Sequence, residues 1–441
     1  MAKQGNIKKT LIAFGFLTSC IFFMQAQDAD NNISNVINHN DWFALDEVLP
    51  QMENDIQTPF LKTMAKVLRA FYFNQPETFL AEFDTLLTFQ NELGFNNISA
   101  FTLMKANVLC QMGRYREGVE FSQNFINRHI DEYGEEKFSY HFAFLNNYEN
   151  LVDVPQPALV RPNKNVEIPL KIKQFDVPSK KYVRAMYVPV KIRGKEYQFL
   201  FDTGATMSMV SEEIAKEIGL KIVDDSFKIT GVCSAIGKIG VLDKLSVGEI
   251  EYQNSLFIVA PPIEAVDTIV KIDAVLGIDF MKAVGEMQIF PKENKIVFPA
   301  KQTPQPDFGS NLYFENKRPL LKTAFGNETL KLIFDTGNTG HTFLQSTYYQ
   351  KHKSIFDLFG TKETAHSGGF GCIKEIEVYK LPEIQLTVGN QHFTQKQVQL
   401  HLENSGDNED AEDGNIGMVF VELWDQITLN FDKMFVEMTN E

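Results

Sequence analysis

The period of the apolar residues changes once along this chain, and the change divides it. From about residue 31 to residue 150 apolar positions recur three and four apart, as at Phe60, Met64, Val67, Leu68 and Phe71, which puts them on one face of a helix. Few alternating stretches interrupt this rhythm, so residues 28–152 are expected to be all helical. Inside the block, Ala106, Leu109, Gly113, Tyr115, Gly118, Phe121 and Phe125 outline two helices and a turn. Gly113 permits the turn, the small Ala106 and Gly118 let the helices approach closely, and Tyr115 fills the groove. A plain bundle and a set of helical hairpins both satisfy this pattern.

Pro155, Pro157, Pro162 and Pro169 then interrupt any helix, because proline lacks the amide donor and clashes with the preceding turn. Residues 153–180 are expected to form a linker and a leading strand. Beyond them apolar positions alternate and β-branched residues dominate, as in residues 187–192 and 197–201, separated by a turn at Arg193 and Gly194.

This strand-rich pattern occurs twice. In residues 181–299 a hairpin turning at Gly194 leads into Phe201, Asp202, Thr203 and Gly204. An amphipathic helix near Glu212 follows, then strands through Ser246 and Gly248, then the block Ala274, Val275, Leu276 and Gly277 before a hairpin closing at Phe298. In residues 316–441 the turn is at Gly326 and the same tetrapeptide returns as Phe334, Asp335, Thr336 and Gly337. Gly389 marks the later strand turn, and Asn415, Ile416 and Gly417 precede a last hairpin ending near Met438. Residues 300–315 link the halves. The expected fold is multidomain: an all-α helical-hairpin domain followed by a duplicated all-β unit.

Composition narrows the chemistry. A formal charge of −15 over 441 residues argues against nucleic-acid binding, which needs a basic face. Lys3, Lys8 and Lys9, followed by an apolar run and Gln25, Ala26 and Gln27, read as an export signal over residues 1–26, so the mature protein is expected in the periplasm or outside the cell. Leu17, Thr18, Ser19 and Cys20 resemble a bacterial lipobox, which makes a lipid anchor at Cys20 the alternative. No other stretch is long and apolar enough for a membrane span. Past the signal only Cys110, Cys233 and Cys372 remain, too few for a disulfide framework, and no zinc spacing occurs, so neither metal nor cofactor is expected. The acidic residues 403–413 lack the order of an EF-hand loop and read as a solvated insertion.

Two Phe-Asp-Thr-Gly tetrapeptides, each after an apolar run and each followed by a glycine block, form a specific pattern. On these motifs each half resembles a retropepsin protomer, and the pair resembles the single-chain aspartic proteases of the pepsin and retropepsin superfamily. Residues 106–125 resemble a tetratricopeptide repeat. The first resemblance implies a duplicated acid-protease barrel and an aspartic endopeptidase in which Asp202 and Asp335 are catalytic. It implies that Thr203 and Thr336 lock the two loops together, that Gly204 and Gly337 let backbone amides approach, and that Gly277 and Gly417 brace the loops from below. Ala205 and Asn338 depart from the Ser or Thr that pepsin-like enzymes carry after the tetrapeptide. Losing those hydroxyls is expected to raise the dyad's apparent pKa values, and Asn338 also stands where it could disturb the dyad geometry. Gly231, Cys233 and Gly237 in one half, and Gly369, Gly371 and Cys372 in the other, are the candidate flaps. Two unpaired thiols is the plain reading of Cys233 and Cys372; a disulfide between approaching flap tips, or a redox-controlled closure, is the alternative. The expected partner is an extended peptide or protein substrate, with the helical domain recruiting substrate or a protein partner, or else removed as a pro-segment. A non-catalytic binding protein on the same fold is the competing function, although it would have no need of two matching aspartate loops.

Overall fold

The protein is described by a computed structural model over residues 28–176, 182–231, 233–262, 272–369, 372–403 and 412–440. The expected export signal, Cys20, Gly371 and most of the acidic insertion lie outside the described residues.

The N-terminal block contains α1 (Asp28–Asn38), α2 (Trp42–Met52), α3 (Pro59–Tyr72), α4 (Pro76–Leu86), α5 (Gln90–Gln111), α6 (Tyr115–Tyr133) and α7 (Ser139–Tyr148). Asp41 caps α2 by accepting from the Ala44 amide, and Pro59 and Pro76 stand in first turns, where a missing amide hydrogen costs nothing. Between α5 and α6 Gly113 adopts φ +75°. A side chain at Gly118 would collide with the Ala106 carbonyl and the Cys110 sulfur, so this glycine is what lets the two helices meet.

Residues 153–180, expected as a linker and a leading strand, carry three strands: β1 (Ala158–Val160), β2 (Val166–Pro169) and β3 (Lys171–Asp176). Along β2, Val166 and Ile168 are buried while Glu167 and Pro169 are exposed, the period-two signature of a half-covered strand.

The first strand-rich stretch continues with β4 (Tyr182–Ile192), β5 (Lys195–Phe201), β6 (Met209–Ser211), α8 (Glu212–Ile218), β7 (Lys221–Thr230), β8 (Ser234–Val247), β9 (Ile250–Ala260), β10 (Ala274–Leu276), α9 (Ile278–Val284), β11 (Glu286–Phe290) and β12 (Lys295–Phe298). The second contains β13 (Leu312–Glu315), β14 (Arg318–Phe325), β15 (Glu328–Phe334), β16 (Phe343–Leu344), α10 (Ser346–Phe359), β17 (Lys362–Gly369), β18 (Cys372–Val388), β19 (Gln391–His401), β20 (Gly414–Ile416), α11 (Met418–Val421), β21 (Gln426–Asn430) and β22 (Phe435–Thr439).

In the first stretch the strand path is β4-β5-β10-β6-β9-β8, and β8 pairs back onto β4; in the second it is β14-β15-β20-β16-β19-β18, and β18 pairs back onto β14. In each, the strand ending in the aspartate tetrapeptide runs parallel to the strand of the glycine block, Leu276 beside Phe201 and Ile416 beside Phe334. A separate five-stranded sheet, β2-β12-β11-β21-β22, joins the stretches through antiparallel β11 and β21.

The helices share their core with the strands rather than standing apart. Tyr313 of β13 meets Phe43 edge-on at a centroid distance of 4.8 Å and Tyr72 at 5.9 Å, and the Asn74 amide donates to the Phe431 carbonyl at 2.8 Å. On the other side, Tyr115, Phe125, Phe138 and Leu151 form one apolar cluster with Ile229 of β7 and Ile239 and Val241 of β8.

Candidate active site

Strands β5 and β15 end at the same place. Asp202 and Asp335 follow them directly, each fixed by its amide donating to the glycine-block strand: Asp202 N to the Leu276 carbonyl at 3.1 Å and Asp335 N to the Ile416 carbonyl at 2.9 Å. The fold thereby brings the two tetrapeptides together, with each carboxyl lying against the glycine of the other motif and the charge of Asp335 acting on Asp202.

Thr203 and Thr336 are fully buried between the loops and bond reciprocally. Each backbone amide donates to the other threonine's Oγ1 at 3.0 Å. Each hydroxyl in turn donates across the junction, Thr203 to the Phe334 carbonyl at 2.6 Å and Thr336 to the Phe201 carbonyl at 2.7 Å. The glycines cross in the same way: a side chain at Gly204 would strike the Asp335 carboxyl, and one at Gly337 the Asp202 carboxyl. Gly277 lies against the backbone of residues 205–208, and Gly417 against the carbonyls of Asp335 and Asn338, each too close for a Cβ.

The two carboxylates have unequal surroundings. Asp202 Oδ1 accepts from the amides of Gly204 at 2.8 Å and Ala205 at 3.2 Å. Asp335 accepts from the Asn338 amide on Oδ1 at 3.0 Å and from Asn415 Nδ2 on Oδ2 at 2.8 Å. Burial, and after it the charge of Asp335, push the Asp202 carboxyl well above the usual carboxylate range, against the opposing pull of its two amides. Both aspartates nevertheless keep part of their surface exposed.

The loops are also braced by different chemistry. In the first half Ser208 donates its amide and its hydroxyl to Asp279 Oδ1, both at 2.8 Å, while its Oγ accepts from the Gly277 amide at 3.0 Å. Burial raises Asp279 to about 6, with the Ser208 bonds working in the other direction. In the second half Asn338 does not disturb the loop: its Nδ2 donates to Asn415 Oδ1 at 2.7 Å and to the His341 carbonyl at 3.3 Å, and its Oδ1 accepts from the Gly340 amide at 3.1 Å. Sequence reasoning missed Ser208, Asp279 and Asn415. For Asp279 and Asn415 the available signal was a polar residue within two positions of Gly277 and of Gly417 in otherwise apolar runs; Ser208 carried none.

Gly231 and Cys233 lie at the turn of the β7–β8 hairpin, where the Gly231 amide donates to the Cys233 carbonyl at 3.1 Å, and Gly369 pairs with Cys372 at the end of β17–β18. Gly237 lies inside β8 rather than at the tip, and a side chain there would meet the Val259 carbonyl and Ile229. The hairpin tips meet, and Cys233 and Cys372 form a disulfide with Cα atoms 5.6 Å apart. The plain reading of two unpaired thiols therefore gives way to the alternative, because the fold closes a separation of 139 residues to bonding distance. Cys110 is free and buried. Among the described residues, no three His, Cys, Asp or Glu side chains are grouped to hold a metal, and no helix is long and apolar enough to cross a membrane.

The aspartyl protease family matches the chain over residues 188–280, a stretch containing Asp202 and Gly277. No curated protein matches it. Among solved structures, basic 7S globulin from soybean is similar at 12% identity, over 64% of this chain and 95% of its own, with a TM-score of 0.38. Conglutin gamma from lupine seeds is similar at 10% identity, over 62% of this chain and 94% of its own, with a TM-score of 0.37. A retropepsin-like aspartic protease from Rickettsia conorii is similar at 14% identity, over 32% of this chain and 92% of its own, with a TM-score of 0.20.

Proposed function

We propose that this protein is an exported aspartic endopeptidase that hydrolyses peptide bonds with a water activated between Asp202 and Asp335. The observation that carries the reading is the crossing of the two carboxyls, each lying against the glycine of the other tetrapeptide, at a junction locked by Thr203 and Thr336. Two carboxylates this close cannot both ionise cheaply, so one proton is shared and the pair is an acid and a base at once. The ionised member takes a proton from water as its oxygen attacks the scissile carbonyl carbon, and the protonated member donates to the carbonyl oxygen. No covalent intermediate is needed.

In this reading residues 181–299 and 316–441 are retropepsin-like halves of one barrel pair. An extended peptide lies between the dyad and the hairpins β7–β8 and β17–β18, bonding through its backbone as an added strand. The helical block, tetratricopeptide-like in its α5–α6 hairpin, docks a substrate or a protein partner. Export is supported by the Cys233–Cys372 bond, since disulfides persist in oxidising compartments.

The test compares wild type, Asp202→Ala and Asp335→Ala on a peptide library, with and without a pepstatin-type inhibitor. Cleavage by wild type alone, blocked by the inhibitor, supports the reading. Equal residual cleavage by all three removes the dyad from it. A folded wild type that binds peptides without cutting them would make the protein a binding module.

A further inference from the structure

The loop after Asp335 carries a chain of side-chain amides that the loop after Asp202 lacks. Asn415 Nδ2 donates to Asp335 Oδ2, Asn415 Oδ1 accepts from Asn338 Nδ2, and Asn338 Oδ1 accepts from the Gly340 amide. Every donor hydrogen in this relay points towards the carboxylate. The equivalent of Asn415 in the first half is Val275: each sits on the glycine-block strand beside the residue two before its aspartate, Asn415 beside Ile333 and Val275 beside Leu200. The equivalent of Asn338 is Ala205. At the two positions where one half carries amides, the other therefore carries hydrocarbon, and both amide donors to Asp202 go to a single oxygen, whereas Asp335 has a donor on each.

We propose that the Asn338–Asn415 pair polarises the dyad, holding the charge on Asp335 and leaving the shared proton on Asp202. The inference rests on the peptidase reading above. A carboxylate accepting on both oxygens is favoured in its charged form, and in a partly dehydrated site each such bond counts for more than in water. Asp335 is then the base and Asp202 the acid. Water attacks the carbonyl carbon and gives its proton to Asp335, while Asp202 protonates the carbonyl oxygen. As the C–N bond breaks, Asp335 delivers its proton to the departing nitrogen and a hydroxyl of the tetrahedral carbon returns one to Asp202. The dyad ends as it began, with one water consumed. Of the titratable groups, Asp202 stands across the junction, His341 follows on the same loop with its backbone carbonyl accepting from Asn338, and Asp279 serves the other loop. Asn338 and Asn415 are thus positioning residues, Asn415 by its own bond to the carboxylate and Asn338 by orienting Asn415.

The experiment replaces each amide by its counterpart from the first half, Asn415→Val and Asn338→Ala, and reads the pH dependence of kcat/KM beside a carboxyl 13C NMR titration of aspartate-labelled protein. The acidic limb, along which the dyad gains its charge, is expected to move up by about one pH unit in Asn415→Val and by less in Asn338→Ala. The first-titrating carboxyl resonance should follow. Folded variants whose limb and resonance stay at the wild-type pH overturn the proposal, as does a His341→Gln control that moves them equally. If Asn415→Val fails to fold, Asn338→Ala decides alone. Should wild type cleave nothing, the peptidase reading fails, and the carboxyl titration still decides which aspartate holds the charge.

Discussion

Replacing Thr203 with valine keeps the side-chain shape and removes one hydroxyl from the junction between the halves. Two partners are then stranded: the Thr336 amide, which donated to that oxygen at 3.0 Å, and the Phe334 carbonyl, which accepted from it at 2.6 Å. Thr203 is 1% exposed and Thr336 is 0%, so water does not replace either bond. A buried polar group left unpaired costs about 1–3 kcal/mol, which puts Thr203→Val at about 2–6 kcal/mol, a large share of the ~5–15 kcal/mol that typically holds a domain folded. Thr203→Ser keeps the oxygen, loses one methyl group and is expected to cost only about 1 kcal/mol. Urea unfolding of the oxidised protein, followed by the buried Trp42 in the helices and Trp424 after α11, measures the difference in both parts of the chain. If Thr203→Val unfolds at the same urea concentration as Thr203→Ser, the reciprocal bonds are not what ties the halves.

The remaining predictions concern sulfur and acid. Converting both Cys233 and Cys372 to serine releases a closed loop with a separation of 139 residues, which in the chain-entropy account is worth about 5 kcal/mol; an unchanged urea midpoint would contradict it. Protein lacking residues 1–26 should take up no alkylating reagent, since Cys233 and Cys372 are bonded and burial pushes the Cys110 thiol up to about 12. Intact mass after alkylation, with and without prior reduction, reads this directly. Burial also pulls His141 and His401 down to about 4. Well above pH 6.5 both are neutral whether folded or not. As pH falls from there to about 4 the unfolded chain binds the protons first, so each histidine withdraws about 3 kcal/mol of stability. His141→Gln should flatten that loss in urea titrations between pH 7 and pH 4.5, and an unaltered slope would refute the assignment.

How much of this was legible in the sequence depended on how far apart the interacting residues lie. The α5–α6 turn at Gly113, the hairpin at Arg193 and Gly194 and the helix after Ser211 depend on residues a few positions apart, and pattern alone locates them. Two copies of one tetrapeptide told of a pairing without any local contact. Asn338 was harder: judged by its own position it was a departure from Ser or Thr, and its use became visible only with Asn415, 77 residues later, at its side. Ser208 and Asp279 were hidden in the same way, 71 residues apart. Where one leading strand was expected, β1 to β3 are three, because they are short, lie among prolines and gain their partners from distant strands such as β9 and β12. For the cysteines, counting thiols left pairing open, and only the meeting of two hairpin tips decided it.

That meeting also bears on how, on the peptidase reading, a substrate gets in. The backbone from Thr203 to Cys233, across the sulfur bond to Cys372 and back to Thr336, where the threonine bonds return to the start, is a continuous hoop, covalent at one crossing and hydrogen-bonded at the other. On the peptidase reading, an extended substrate lying between the aspartates and the hairpin tips is encircled by this hoop, so that with the sulfur bond intact it is expected to enter by a free end and a cyclic peptide to be refused. Opening the bond would turn the hoop into a pair of jaws.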